Sequence, residues 1–133
     1  MSIMVDSCVL LDILSKDPRW YAWSSETIEE AANNGPVIIN PVIYAEVSAR
    51  FKRIENFEME LPAHIFEYHP IPKPAAFMAG KCFTIYKKRG GKKIRPLSDF
   101  FIGAHAAVEG IPLITRDTKL YRSYFPTLQL IHP

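Results

Sequence analysis

Cysteine is scarce in this chain of 133 residues: there are two, Cys8 and Cys82, in neither a CxxC pair nor a metal-ligand spacing. That argues against a disulfide-stapled scaffold and a thiolate metal site, and both cysteines read as buried free thiols. Long apolar runs are also missing. None approaches the roughly 20 residues that cross a bilayer, so no membrane span is expected. The opening Met-Ser-Ile-Met-Val-Asp has no basic stretch and meets an acid early, unlike a signal peptide, which makes the cytoplasm the expected compartment. Neither sign of charge is in excess: 16 Lys and Arg face 14 Asp and Glu, so the chain as a whole is not a polycation. There is no repeat, no low-complexity tract, no dividing linker and no phosphate-cradling G-x-x-x-x-G-K-[ST] loop. Residues 1–133 are therefore read as one domain, outside the P-loop enzymes.

What is present is a globular composition. The chain is 48% hydrophobic and 23% charged, enough apolar material for a core and too little charge for disorder. The basic residues are uneven: 8 of the 16 lie between Lys73 and Arg95, six of them in Lys87, Lys88, Arg89, Lys92, Lys93 and Arg95. Such a run is either a solvated loop or a patch that attracts phosphate, and charge alone does not choose.

Short apolar runs punctuate the chain. Ile3-Met4-Val5, Val37-Ile38-Ile39 and Pro112–Thr115 read as short buried strands and Leu128–Ile131 as a last strand, with another around His64–His69. Between them lie helical patterns: Val9–Leu14, Ser24 or Ser25 to Asn33, a helix opened by Asn40-Pro41 and running toward Phe51, Ala75–Lys88, and Asp99–Glu109 behind Ser98 as N-cap. Gly110 stops the last of these. Strands alternating with helices predict a three-layer α/β/α fold around a mostly parallel sheet, with the functional loops at the strands' carboxyl ends.

The acids fall at that edge. Asp6 follows the first strand, Asp117 lies just past the fourth, and Asp99 and Glu46 sit early in helices. Singly, Asp99 reads as a helix-dipole partner, Asp117 as a turn residue and Glu46 as surface charge between apparently buried Ala45 and Val47. Together they suit a hard cation such as magnesium or manganese, because gathered carboxylates repel unless a cation neutralises them. A cation so held polarises a phosphate and acidifies a water, the chemistry of phosphodiester hydrolysis.

These motifs resemble the PIN-domain ribonucleases. Ile-Met-Val-Asp6-Ser7 is similar to their first motif, Pro41-Val-Ile-Tyr-Ala-Glu46-Val to the second, Ser98-Asp99-Phe-Phe-Ile-Gly-Ala-His105 to the third, and Thr115-Arg116-Asp117 with Leu120-Tyr121 to the fourth. Order and spacing match over nearly the whole chain, and the length is similar to the stand-alone VapC toxins of toxin–antitoxin pairs. The resemblance implies that Asp6, Glu46, Asp99 and Asp117 form an acidic magnesium (or manganese) site. Asp6 and Asp99 would be the most direct ligands, and Ser7 and Thr115 supporting hydroxyls. It further implies RNA as substrate, tRNA among the classes cut, a cognate antitoxin as silencing partner, and a homodimer. Arg116 and the basic run become candidate RNA contacts, Arg116 pairing with an acid being the alternative. Asp12 reads as surface charge and His105 as a helix-packing residue. An apolar groove near Trp20, Trp23 or Phe51 is a candidate antitoxin seat, core packing being the alternative for the tryptophans.

Rivals are weaker. Haloacid-dehalogenase-type phosphatases also place Asp after the first strand but need a second Asp two residues on, where this chain has Cys8. Cysteine hydrolase chemistry would need Cys8 exposed beside a histidine, yet its surroundings are apolar. A catalytically silent PIN-like module that binds RNA or protein is the remaining alternative, although all four acids are in place.

Overall fold

Five parallel strands form the centre of the computed structural model, which describes residues 1–133. In chain order they are β1 (Ile3–Val5), β2 (Val37–Ile39), β3 (Phe66–Tyr68), β4 (Leu113–Ile114) and β5 (Leu130–Ile131), and the sheet order is β3-β2-β1-β4-β5. Helices α1 (Ser7–Leu14) and α2 (Tyr21–Asn34) link β1 to β2, and α3 (Pro41–Ser48) and α4 (Ile54–Glu60) link β2 to β3. Helices α5 (Lys73–Lys88) and α6 (Pro96–Glu109) then cross to β4, and α7 (Lys119–Tyr124) leads to β5. Right-handed crossovers place α1–α4 over one face and α5–α7 over the other. The expected three-layer α/β/α fold is what forms, with every strand pair parallel.

Burial explains why three-residue strands suffice. Every residue of β1, β2 and β4 is buried, so each strand is covered by helices on both faces. The register sets the edge. Ile3 pairs with Val37 and Val5 with Ile114, which brings the residues after the three strands, Asp6, Asn40 and Thr115, level with one another. All three are buried polar side chains, and each has a structural task. Asp6 caps α1 by accepting from the Ser7 N–H, and Asn40 caps α3 by accepting from the Ile43 N–H at 2.9 Å, with Pro41 in the first turn.

Some local expectations shift. Helix α2 begins at Tyr21 rather than Ser24, because Asp17 Oδ1 accepts the N–H groups of Arg19 and Trp20 and turns the chain into the helix earlier. Helix α3 stops at Ser48; Phe51 lies beyond it, its ring 5.1 Å from that of Phe57 on α4. Ala45 is exposed and only Val47 of the pair flanking Glu46 is buried. Helix α6 starts at Pro96, which takes Ser98 into the first turn and away from the capping position. Gly110 terminates α6 as expected, in the left-handed conformation with φ 66°. Cys82 is buried but Cys8 is half-buried, and both are free.

Asp12 is not surface charge. It is 4% exposed, and it accepts from Ser24 Oγ and from both Nε and Nη2 of Arg116. A carboxylate buried to that degree must be paired, and its partner stands 104 positions later in the chain.

Candidate active site

The sheet order reverses at β1: β2 and β3 build outward on one side, β4 and β5 on the other. In open parallel sheets the crevice at such a reversal, beyond the strands' carboxyl ends, is where ligands bind. Asp6 ends β1 and Thr115 ends β4 on the two sides of that crevice.

Asp6 anchors the site. Its Oδ1 accepts the Ser7 N–H at 2.8 Å, and its Oδ2 accepts Thr115 Oγ1 at 2.8 Å and the buried Tyr121 hydroxyl at 2.9 Å. Ser7 Oγ, 3.5 Å from Asp6 Oδ1, makes its better bond to Glu46 Oε1 at 2.9 Å, so the β1–α1 junction holds the α3 acid. Glu46 Oε2 also accepts from Ser98 Oγ at 3.1 Å, which ties α3 to the first turn of α6. Deeper in the fold, Asn40 and the buried His105 are 3.1 Å apart and link the same two helices. Asp117 is exposed at the rim, its N–H donating to Thr115 Oγ1 at 3.1 Å.

Electrostatics show that the acids share one field. Burial, and then repulsion from Asp6, Glu46 and Asp117, pushes the Asp99 carboxyl up to about 7, with Arg95 pulling weakly the other way. Burial also raises Asp6 despite its three donors, and Glu46 adds to the rise. Negative charge at this edge is under-compensated by the protein itself.

A cation is the complement, and the donor set decides its type. The edge offers carboxylate and hydroxyl oxygens; His105 is turned to Asn40, and burial pushes the Cys8 thiol up to about 11. Zinc and other soft ions are thus poorly served, whereas a hard divalent cation could be held. No three of the acidic, histidine or cysteine side chains stand close enough together to hold a metal ion by themselves. A hard cation here would bind through one or two carboxylates and keep its remaining positions for water or a phosphate.

Sequence reasoning brought Asp6, Glu46, Asp99 and Asp117 to one edge, with Ser7 and Thr115 between them. It missed Tyr121 and Ser98 as donors. Tyr121 stands one helical turn after Asp117 and Ser98 immediately before Asp99, and neither spacing predicts a carboxylate partner. Arg116 turns away from the crevice to Asp12.

The basic run forms a strap from the end of α5 to the start of α6. Lys87 lies over the Phe83 ring and Arg89 over Tyr124, and all six basic residues of the run are exposed. Gly91 packs so closely on Tyr86 that a Cβ there would sit 2.4 Å from the ring, and the Lys93 N–H donates to the Tyr86 hydroxyl. The strap is thereby pinned to α5 on its way to the helix that carries Asp99.

Of the three aromatics expected at a groove, Phe51 lines a small pocket of about 190 Å³ with Tyr44 and Phe57, while Trp20 is stacked on by Arg19 and Arg116. The large apolar groove, about 520 Å³, lies elsewhere, between Leu10, Ile13 and Leu14 of α1, Ile28 of α2, and Ile65 and Phe66 before and in β3. Glu29 and Glu60 stand at its rim.

Comparisons with known proteins agree with this architecture. A sequence model of the PIN domain matches residues 3–126. No curated protein sequence matches the chain. Among solved structures, the chain is similar to VapBC2 from Rickettsia felis bound to a DNA fragment from its promoter, with TM-score 0.72 and 22% identity over 99% of this chain and 98% of that one. It is similar to VapBC-1 from nontypeable Haemophilus influenzae, with TM-score 0.72 and 20% identity over 99% and 98% of the two chains. It is also similar to FitAcB from Neisseria gonorrhoeae, with TM-score 0.63 and 20% identity over 98% and 97%.

Proposed function

Because this chain belongs to the PIN-domain family, we propose that it is a magnesium-dependent endoribonuclease of the VapC toxin type, hydrolysing RNA phosphodiester bonds. What carries this reading is the gathering of Asp6, Glu46, Asp99 and Asp117 at one edge, where burial first and the repulsion of the other three acids second raise Asp99 to about 7. Asp6 and Asp99 would hold magnesium, or manganese in its place, most directly, and Glu46 and Asp117 directly or through water. The ion, when bound, supplies charge stabilisation for the phosphate and a more acidic water. Ser7 and Thr115 orient Glu46 and Asp6 and are not nucleophiles. Substrates include structured RNA such as tRNA.

The surroundings favour the same reading. Arg95 acts on Asp99, and Lys87, Lys88, Arg89, Lys92 and Lys93 are exposed on the same pinned strap, where they would meet phosphates. Arg116, engaged by Asp12, would not touch RNA. The expected result of Lys92→Ala with Lys93→Ala is a raised KM for RNA with kcat little changed. Removing each cation that meets a phosphate should lower the slope of log KM against log salt by about 0.7–0.9. An unchanged slope would remove the strap from the RNA path.

The structural relatives are toxin–antitoxin complexes, which supports a cognate antitoxin as partner. The apolar groove between α1, α2 and β3 is its best-formed seat, with Glu29 and Glu60 placed to meet basic flanks. No helix of the chain is long and apolar enough to cross a membrane, and a homodimer acting in the cytoplasm completes the proposal. The test is cleavage of total bacterial RNA by antitoxin-free protein. Cutting with magnesium that ceases with EDTA is expected. Folded protein that binds RNA without cutting it would replace the enzyme by the silent binding module.

A further inference from the structure

Arg116 stands between two residues of the carboxylate edge, yet its side chain leaves that edge. Thr115 on one side donates to Asp6, and Asp117 on the other belongs to the acidic field. The chain bends at Arg116, just past β4, and its side chain reaches away from the edge to Asp12 on α1. There Nε donates to Asp12 Oδ2 at 2.7 Å and Nη2 to Asp12 Oδ1 at 2.9 Å, a two-pronged fork. Ser24 Oγ on α2 donates to the same Oδ2 at 2.8 Å, and the guanidinium lies 5.1 Å from the centroid of the Trp20 ring. One side chain from the β4–α7 loop is thus held by α1 directly, while Ser24 of α2 steadies the carboxylate that holds it.

Asp117 has no such grip of its own. It is exposed, and its hydrogen bonds to Thr115 run through its main chain rather than its carboxylate. The place of that carboxylate is therefore set by the backbone on either side of it. Thr115 fixes the backbone through Asp6, and the fork fixes it at the next residue.

We infer that the Arg116–Asp12 fork is a positioning device: it locks the loop between Thr115 and Asp117, so that the Asp117 carboxylate is held ready for the cation. This rests on the metal-site reading above. The geometry needs arginine, because a lysine ammonium supplies one point charge and cannot make two parallel bonds to a carboxylate. It also explains why a cationic residue stands next to Asp117 without neutralising the site: its charge is matched by Asp12, which lies outside the cluster.

The test is manganese binding by titration calorimetry on the full chain, free of antitoxin and checked for folding by circular dichroism. Wild type is compared with R116K and with the double variant D12N/R116M. Removing both charges avoids the unpaired buried carboxylate that Arg116→Met alone would leave. Outer partners of metal ligands typically contribute 10–100-fold in affinity, so the double variant should bind manganese about tenfold more weakly. R116K should recover part of that loss while melting within a few degrees of wild type. Loss of affinity in a variant that keeps its thermal stability separates positioning from bulk destabilisation. Wild-type affinity, within about twofold, in both variants would overturn the inference and leave the fork as an ordinary structural ion pair. Should the double variant fail to fold, R116K decides on the same criterion. Wild-type protein that bound no manganese at all would defeat the metal-site reading itself, a result distinct from failure of the fork.

Discussion

Asp99→Asn should abolish RNA cleavage while making the cation-free protein more stable. The amide keeps the shape of the side chain and its place in the first turn of α6, but it removes the charge that Asp6, Glu46 and Asp117 repel. Charge stabilisation by a bound divalent ion is worth several kcal/mol, so losing a direct ligand should cost about a thousandfold or more in kcat/KM. Relief of the repulsion acts in the opposite direction on folding. At pH 8 without metal, the variant should melt above wild type, and added magnesium should shift its melting point far less. An Asp99→Asn protein that cut RNA at near the wild-type rate would remove Asp99 from the site. One that melted below wild type would show that the acids do not share a strained field.

The second large effect is on pH dependence. Asp99 has a folded-state value of about 7, against 3.8 for an unperturbed aspartate. Between those values the folded chain holds a proton that the unfolded chain has released. Stability of the cation-free protein therefore falls as pH rises through the window from about 4 to 7, and it is lowest above 7. Asp6, raised chiefly by burial, contributes in the same direction. Magnesium must displace the Asp99 proton, so its apparent affinity should rise up to tenfold per pH unit below about 7 and level off above it. Cleavage at limiting magnesium should follow that curve. Thermal melts at pH 5 and pH 8, each with EDTA or with magnesium, check both statements. The magnesium-induced rise should be larger at pH 8, and a rise that was larger at pH 5 would reverse the sign of the linkage.

The fold was legible where the signals are local. Asn40-Pro41 starts α3 through a side-chain cap and a proline that loses no needed donor, and Gly110 ends α6 through a left-handed residue. Both are properties of neighbours in the chain. β3 was the weakest of the strand expectations, because Phe66, Glu67 and Tyr68 lie at the sheet edge with largely exposed faces and show no buried run. The start of α2 was misplaced for a comparable reason: the turn depends on Asp17 folding back on Arg19 and Trp20, several residues before the amphipathic pattern begins.

The acids of the candidate site were legible because a parallel sheet brings every strand's carboxyl end to one edge, so position after a strand already implies proximity. Their partners were not. Whether Asp12 is solvated or buried depends on Arg116, and no local pattern couples them across more than a hundred residues. Tyr121 donates to Asp6 only because α7 packs on α6 beside Gly103, a tertiary fact with no period in the sequence. Ser98 shows the same limit: before Asp99 it has the chemistry of an N-cap, but Pro96 starts the helix earlier, and its hydroxyl is turned to Glu46 instead.

The most direct test of the central claim, that this carboxylate edge hydrolyses RNA with a divalent cation, is the chemical identity of the ends left on a cut RNA. Hydrolysis by water at a carboxylate-held cation, with O3′ leaving, predicts 5′-phosphate and 3′-hydroxyl ends that form with magnesium and vanish with EDTA. Products ending in 2′,3′-cyclic phosphate and 5′-hydroxyl, formed equally in EDTA, would mean that the RNA's own 2′-hydroxyl attacked without a metal, and would contradict the account.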